Sequence, residues 1–178
     1  VEQYSDGVAP AGFAQPALRA DGTGVLVWRQ AEDVVSATAH LAAIGRQRNG
    51  QLGLITQISA PGDDCFNTTY EARRNNVVIS DSGEAGVVWS AFDGMHYRIF
   101  VAFMDLAGNW GSPAVISTDG QHAKMPSLAV NGDQWAVSWQ RSDGHTSRVQ
   151  ASVYSPDTQS WSVPVSLSPE GKMGIWSE

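Results

Sequence analysis

The sequence contains a single cysteine, Cys65. One thiol closes no internal disulfide, so covalent staples are excluded as a source of stability. Charge is scarce as well. Asp, Glu, Lys and Arg make up 16% of the chain and sum to −7, from 18 acidic and 11 basic residues. That balance repels a nucleic-acid duplex, so nucleic acid is not an expected partner. No run approaches the ~18 apolar residues of a membrane-spanning helix, so no span is expected. The four histidines, His40, His96, His122 and His145, lie far apart, without the short spacing of a zinc site. A G-x-S-x-G nucleophile elbow is missing, as are a Gly-rich phosphate loop and a D-x-D-x-D series for calcium. No metal and no cofactor are expected, and no residue is assigned to catalysis.

What the chain has is glycine (18), tryptophan (7) and an internal repeat. Glu84–Ser117 and Gln134–Ser168 are two versions of one pattern. Trp89 and Trp139 anchor them, Asp93-Gly94 and Asp143-Gly144 follow, then Arg98 and Arg148, and both close on W-x-x-P-x-x-[IL]-S. A weaker version precedes them, with Trp28 as anchor and Leu52–Ser59 as its close. A period of about fifty residues marks a repeat architecture. Within each copy the apolar residues alternate. Trp135, Val137 and Trp139 fall on one face of a strand, and Val149, Ala151 and Val153 share a face of the next. Period two over such lengths predicts strands, and Asn131-Gly132-Asp133 predicts a hairpin between two of them. Val34–Ile44 is the nearest approach to a helical stripe, but it occupies a third-strand slot and is assigned to strand.

The expected fold class is all-β. A single domain over 1–178 holds about three four-stranded antiparallel blades, over approximately 14–59, 75–117 and 125–168, in a β-propeller-like array. Such sheets bury both faces only by stacking side by side, with Trp28, Trp89 and Trp139 in the seams. Three blades fall short of the four or more of closed propellers. The array is therefore expected either to remain an open sector or to gain a partial fourth blade from the flanks, with Gly174-Ile175-Trp176 as a candidate strand.

The pattern G-x-A-V-x-W-x-x-x-D-G, an Arg-bearing strand and G-x-W-x-x-P-x-x-I-S resembles bacterial extracytoplasmic β-propeller repeats related to the sialidase/Asp-box superfamily. The likeness covers residues 16–168. The Asp-box S-x-D-x-G-x-x-W itself is degenerate: Ser155-Pro156-Asp157 begins one, but Trp161 arrives a residue early. The resemblance implies architecture and an extracytoplasmic place, periplasmic or secreted, and does not imply catalysis.

Meander geometry sorts the loops into two ends. The second-to-third-strand turns and the blade-to-blade links share one end, where loops form a default binding surface. The binding candidates there are Asp93, Asp143, Arg98 and Arg148, with Asp63, Asp64, Arg73 and Arg74 of the long link. Trp135 and Trp176 are added as indoles able to stack on sugars, with Trp110 and Trp161 as further candidates whose competing role is blade packing. The expected function is a non-enzymatic structural module docking onto other protein subunits or onto itself, in a larger assembly. The alternatives are a glycan-binding, lectin-like propeller module and, below it, a sialidase-like hydrolase.

Overall fold

The computed structural model describes residues 11–31, 39–60, 76–143 and 145–168. These form three antiparallel sheets, none closed into a barrel, and no helix. The first sheet runs β1 (Ala11–Leu18), β2 (Gly24–Ala31), β3 (Ala39–Arg46), β4 (Thr56–Gln57). The second runs β5 (Asn76–Ile79), β6 (Ala85–Phe92), β7 (Tyr97–Met104), β8 (Ala114–Val115). The third runs β9 (His122–Asn131), β10 (Gln134–Ser142) and β11 (Ser147–Ser155), and its last slot is split between β12 (Ser160–Trp161) and β13 (Val165–Ser166), both paired with β11. The expected all-β, propeller-like array of three four-stranded blades is the observed fold. Its first strand starts at Ala11 rather than near residue 14. Of Val34–Ile44, the part described is β3; 34–38 and the flanking candidate Gly174–Trp176 lie outside the described residues.

The blades pack through faces set by the period-two alternation. Val25, Val27, Leu41 and Ala43 of the first blade meet Val87, Trp89, Ala91 and Ala102 of the second in one buried seam. Val88, Ile99 and Val101 on the opposite face of the second blade meet Leu128, Trp135, Val137 and Trp139 of the third. The first strands touch in series, β1 on β5 and β5 on β9, so they line one edge of the array. Between them Asn76 Oδ1 accepts the Leu128 N–H at 3.1 Å. Gly86 lets the second seam close, since a Cβ there would lie 2.7 Å from Trp135 Cζ3 and 3.1 Å from Leu128 Cδ2.

One expectation needs correcting. Trp89 and Trp139 occupy seams, but Trp28 points the other way, into a small cluster with Ala42 and Ile44 on the far side of the first blade. The cause is direction: each anchor faces the blade before it, and among the described residues none precedes β1.

The repeated closing serine now has a physical reason. Ser59 Oγ accepts the N–H of Leu41 at 2.9 Å, Ser117 Oγ that of Ile99 at 3.0 Å, and Ser168 Oγ that of Val149 at 3.0 Å. The preceding residues Ile58, Ile116 and Leu167 donate their N–H groups to the carbonyls of the same three partners. Each serine thus satisfies a third-strand N–H where the fourth strand leaves the ladder, which would otherwise cost the desolvation of an unpaired amide.

Candidate functional site

At the loop end, Asp93 Oδ1 accepts the N–H groups of Met95 at 2.9 Å and His96 at 2.8 Å, around Gly94 at φ +99°. These backbone bonds, His96 first, hold its carboxyl below the ordinary 3.8, with Arg98 adding to them. Arg98 Nη1 lies 3.3 Å from Asp93 Oδ2 and 3.0 Å from Asp119 Oδ1, and Nη2 donates to the Ser117 carbonyl at 2.9 Å. Next to this pair the rings of His96 and His122 meet edge-on at 5.4 Å, and Lys124 Nζ sits 4.5 Å from the Tyr97 ring centroid. In the third blade, Asp143 Oδ1 accepts the N–H groups of His145 and Thr146 at 2.9 and 2.7 Å, and Oδ2 accepts the Thr146 hydroxyl at 3.2 Å. The Thr146 and His145 amides bring its carboxyl down to about 2.

The structure therefore places Asp93, Arg98, Asp143 and Arg148 at the predicted end, but it spends the two aspartates on their turns. Asp63, Asp64, Arg73, Arg74 and Trp176 lie outside the described residues. Trp135 is no sugar platform, being 4% exposed and packed edge-on against Phe103 at 4.9 Å.

The larger opening lies at the opposite end, between the first and second blades, and the repeat explains it. In the seam between the second and third blades, Phe103 stacks on Trp161 at 6.1 Å, and Tyr154 meets Trp161 at 5.5 Å. Four aromatic side chains, Phe103, Trp135, Tyr154 and Trp161, fill that end. Counting along the repeat, the preceding seam has Gly45 for Phe103, Ala85 for Trp135, Met104 for Tyr154 and Trp110 for Trp161. Two of the four rings are thus replaced by a hydrogen and a methyl, and a cleft of about 620 Å³ results. Trp110, half-buried, lines it with Leu54 and Leu106. Arg46, Gln47, Asp105 and Asn109 supply exposed polar groups. Arg46 is steadied by donating to the Gly22 carbonyl. Asp105 accepts the N–H groups of Ala107 and Asn109 at 2.9 and 2.8 Å and the Asn109 side-chain amide at 3.1 Å. Those bonds, the Asn109 amide first, keep its carboxyl below the usual 3.8.

No family model matches the chain, so none supports the resemblance to the sialidase/Asp-box superfamily. No curated protein matches either. Among solved structures, the chain is similar to the α-L-arabinofuranosidase Arb93A of Fusarium graminearum, solved with an iminosugar inhibitor, at 16% identity and a TM-score of 0.49. The match covers 92% of this chain and 49% of that one, so the chain spans about half the length of that enzyme. At this identity and TM-score the likeness assigns neither reaction nor substrate.

The comparison corrects two expectations. A non-enzymatic module docking onto other proteins was expected, yet a solved structure to which the chain is similar is that of an α-L-arabinofuranosidase. Neither the docking role nor the exclusion of enzyme activity is carried further. The cleft itself was missed in sequence because it is an absence of side chains. Its only signal was Gly45 and Ala85 in slots that the next repeat fills with Phe103 and Trp135.

Proposed function

We propose that the chain recognises carbohydrate in the cleft between its first and second blades. A sugar ring has an apolar C–H face and a rim of hydroxyls. An indole covers the face, while planar amide, carboxylate and guanidinium groups bond the rim. Trp110 with Asp105, Asn109, Gln47 and Arg46 supplies that combination in one place. The volume of about 620 Å³ falls within the ~300–1,000 Å³ of small-molecule sites. The single observation behind the reading is the seam: the same repeat position is packed with aromatics in one place and left open beside a half-exposed indole in the other. An extracytoplasmic place belongs to the same proposal and rests on the sequence resemblance alone.

The test is calorimetry against a panel of neutral oligosaccharides, arabinose-containing ones included. Trp110→Ala is expected to weaken binding at least about tenfold, roughly 1.4 kcal/mol. Gly45→Phe, whose Cβ would meet nothing within 4 Å, restores the aromatic plug and is expected to abolish binding while leaving the melting temperature near that of the parent. Binding that survives the plug, or a parent chain that binds no glycan, ends this reading.

A further inference from the structure

The open seam carries apolar surface that a bare sugar does not use. Leu54, in the segment leading into β4 of the first blade, is 89% exposed, and Leu106, in the turn after β7 of the second, is 69% exposed. Both line the cleft beside Trp110, one from each blade. Ile79, half-buried, and the buried Met104 continue the apolar lining inward. Single exposed leucines are ordinary on a protein surface, but two on the walls of one cleft, next to an indole, mark a surface that a ligand can cover. The repeat does not require Leu54, because its slot holds Ser112 in the second blade, whose seam with the third is closed. Leu106 stands beside a bond that joins the two blades. A Cβ on Gly83 would lie 3.6 Å from Leu106 Cδ2 and 3.4 Å from Arg19 Nη1. Arg19, from the first blade's β1–β2 turn, donates to the Asp81 carbonyl of the β5–β6 turn and pairs with Asp21 at 3.2 Å.

We propose that the preferred ligand of this cleft is a neutral sugar bearing an apolar substituent, an alkyl, aryl or acyl group, rather than a bare glycan; this ligand class rests on the carbohydrate reading above. Gln47, Arg46, Asp105 and Asn109 serve the hydroxyl rim of a ring, and Trp110 serves its C–H face. Leucine offers neither a flat aromatic face nor a side-chain hydrogen bond, so a bare ring leaves Leu54 and Leu106 wet. An apolar group carried by the ring covers them and removes hydrocarbon from water on both sides of the contact. A hydrocarbon without a sugar fits less well, because it strips water from Asp105 and Asn109 without replacing the hydrogen bonds.

Calorimetry on the full chain compares methyl and hexyl thioglycosides of L-arabinofuranose and D-glucopyranose, a hexanoyl ester of the methyl thioarabinoside, and hexanol. The sulfur link resists hydrolysis, so affinity is read without turnover. The hexyl form is expected to bind at least about tenfold tighter than the methyl form of the same sugar, and hexanol to bind more weakly than the hexyl form. Leu54→Ser and Leu106→Ser are each expected to reduce the hexyl-to-methyl ratio at least about threefold. Val163→Ser, in the slot of Leu54 on the third blade and 80% exposed, is expected to leave the ratio unchanged. All three are surface changes expected to keep the melting temperature of the parent. A larger gain from the hexyl link identifies the apolar group as an aglycone, and a larger gain from the ester identifies it as an acyl decoration. Methyl, hexyl and ester forms that bind equally, with Trp110→Ala weakening each, overturn this ligand class and leave the carbohydrate reading standing. A hexyl gain that survives both leucine variants overturns it too, as does hexanol binding as tightly as the hexyl glycoside. Absence of binding by every glycoside ends the carbohydrate reading and this ligand class together.

Discussion

His122 stands at the start of β9, where the second and third blades meet. Its Nδ1 accepts the N–H of Tyr97 at 3.1 Å, which only the neutral ring can do. Burial first, then the neighbouring Lys124 and His96, hold its pKa below the ordinary 6.5, while Asp93 opposes them. The unfolded chain therefore takes up the proton at a higher pH than the folded one. This contribution to stability is fully present above 6.5 and is lost as the pH falls from there through the lowered folded value. Denaturant midpoints measured from about pH 7.5 to about pH 5 are expected to fall for the parent chain and to fall less for His122→Asn, whose amide oxygen still accepts from Tyr97. A parallel decline in both would remove His122 as the cause. The aspartates do not interfere in this window, because Asp93 and Asp143 lie below 3.8 and contribute only under more acid conditions. At this scale the sequence was partly legible. The repeat placed the Asp-Gly pairs at the second-to-third-strand end, with Arg98 five residues after Asp93. Nothing in the spacing showed that His122, 25 residues from Tyr97, would cap the start of β7.

Each blade is a meander whose fourth strand pairs only briefly, over Thr56–Gln57, Ala114–Val115 and the split β12 and β13. The closing serine compensates for the missing ladder bond. Ser117→Ala is expected to cost about 1–3 kcal/mol, because it strips the acceptor from the buried Ile99 amide. Ser168→Ala is expected to cost under about 1 kcal/mol, since the Val149 amide lies where water can replace the hydroxyl. Urea unfolding of the two variants checks the ranking, and equal losses would count against this role. A second device repeats without a sequence signature. Phe13 in β1 and Met125 in β9 both adopt positive φ, 57° and 56°, where each first strand slips register across from the anchor Trp28 or Trp139. Phe and Met are not residues that advertise such a conformation, so these bulges arise from the packing of each strand against its blade.

Over the whole molecule, equivalent residues have unequal weight because, among the described residues, no blade packs on the outer face of the third. Ile58 and Ile116 are 6% and 7% exposed beneath the following blade, while Leu167, in the same slot of the third, is 62% exposed. Val149 and Val153, equivalents of Ile99 and Phe103, are 45% and 47% exposed. Ile116→Ala is expected to destabilise by about 2–5 kcal/mol, as a buried aliphatic truncation does. Leu167→Ala is expected to cost less than about 1 kcal/mol. Chemical denaturation of both chains measures the contrast. Similar losses would mean that the third blade's outer face is covered in solution.

The amino-acid order by itself determined the repeat, the strand class, the hairpins and the partition of each strand into two faces. These follow from a period of two and from turn residues a few positions apart, which are local properties of the chain. Only the tertiary structure decided which seam is closed and which is open. That outcome depends on side chains such as Gly45 and Trp110, or Phe103 and Trp135, which become neighbours only when blades stack. It also decided that Trp28 looks away from the other blades and that Trp135 is sealed from any ligand. A sequence records the identity of each residue, whereas a cleft is a property of residues far apart in the chain that folding brings face to face.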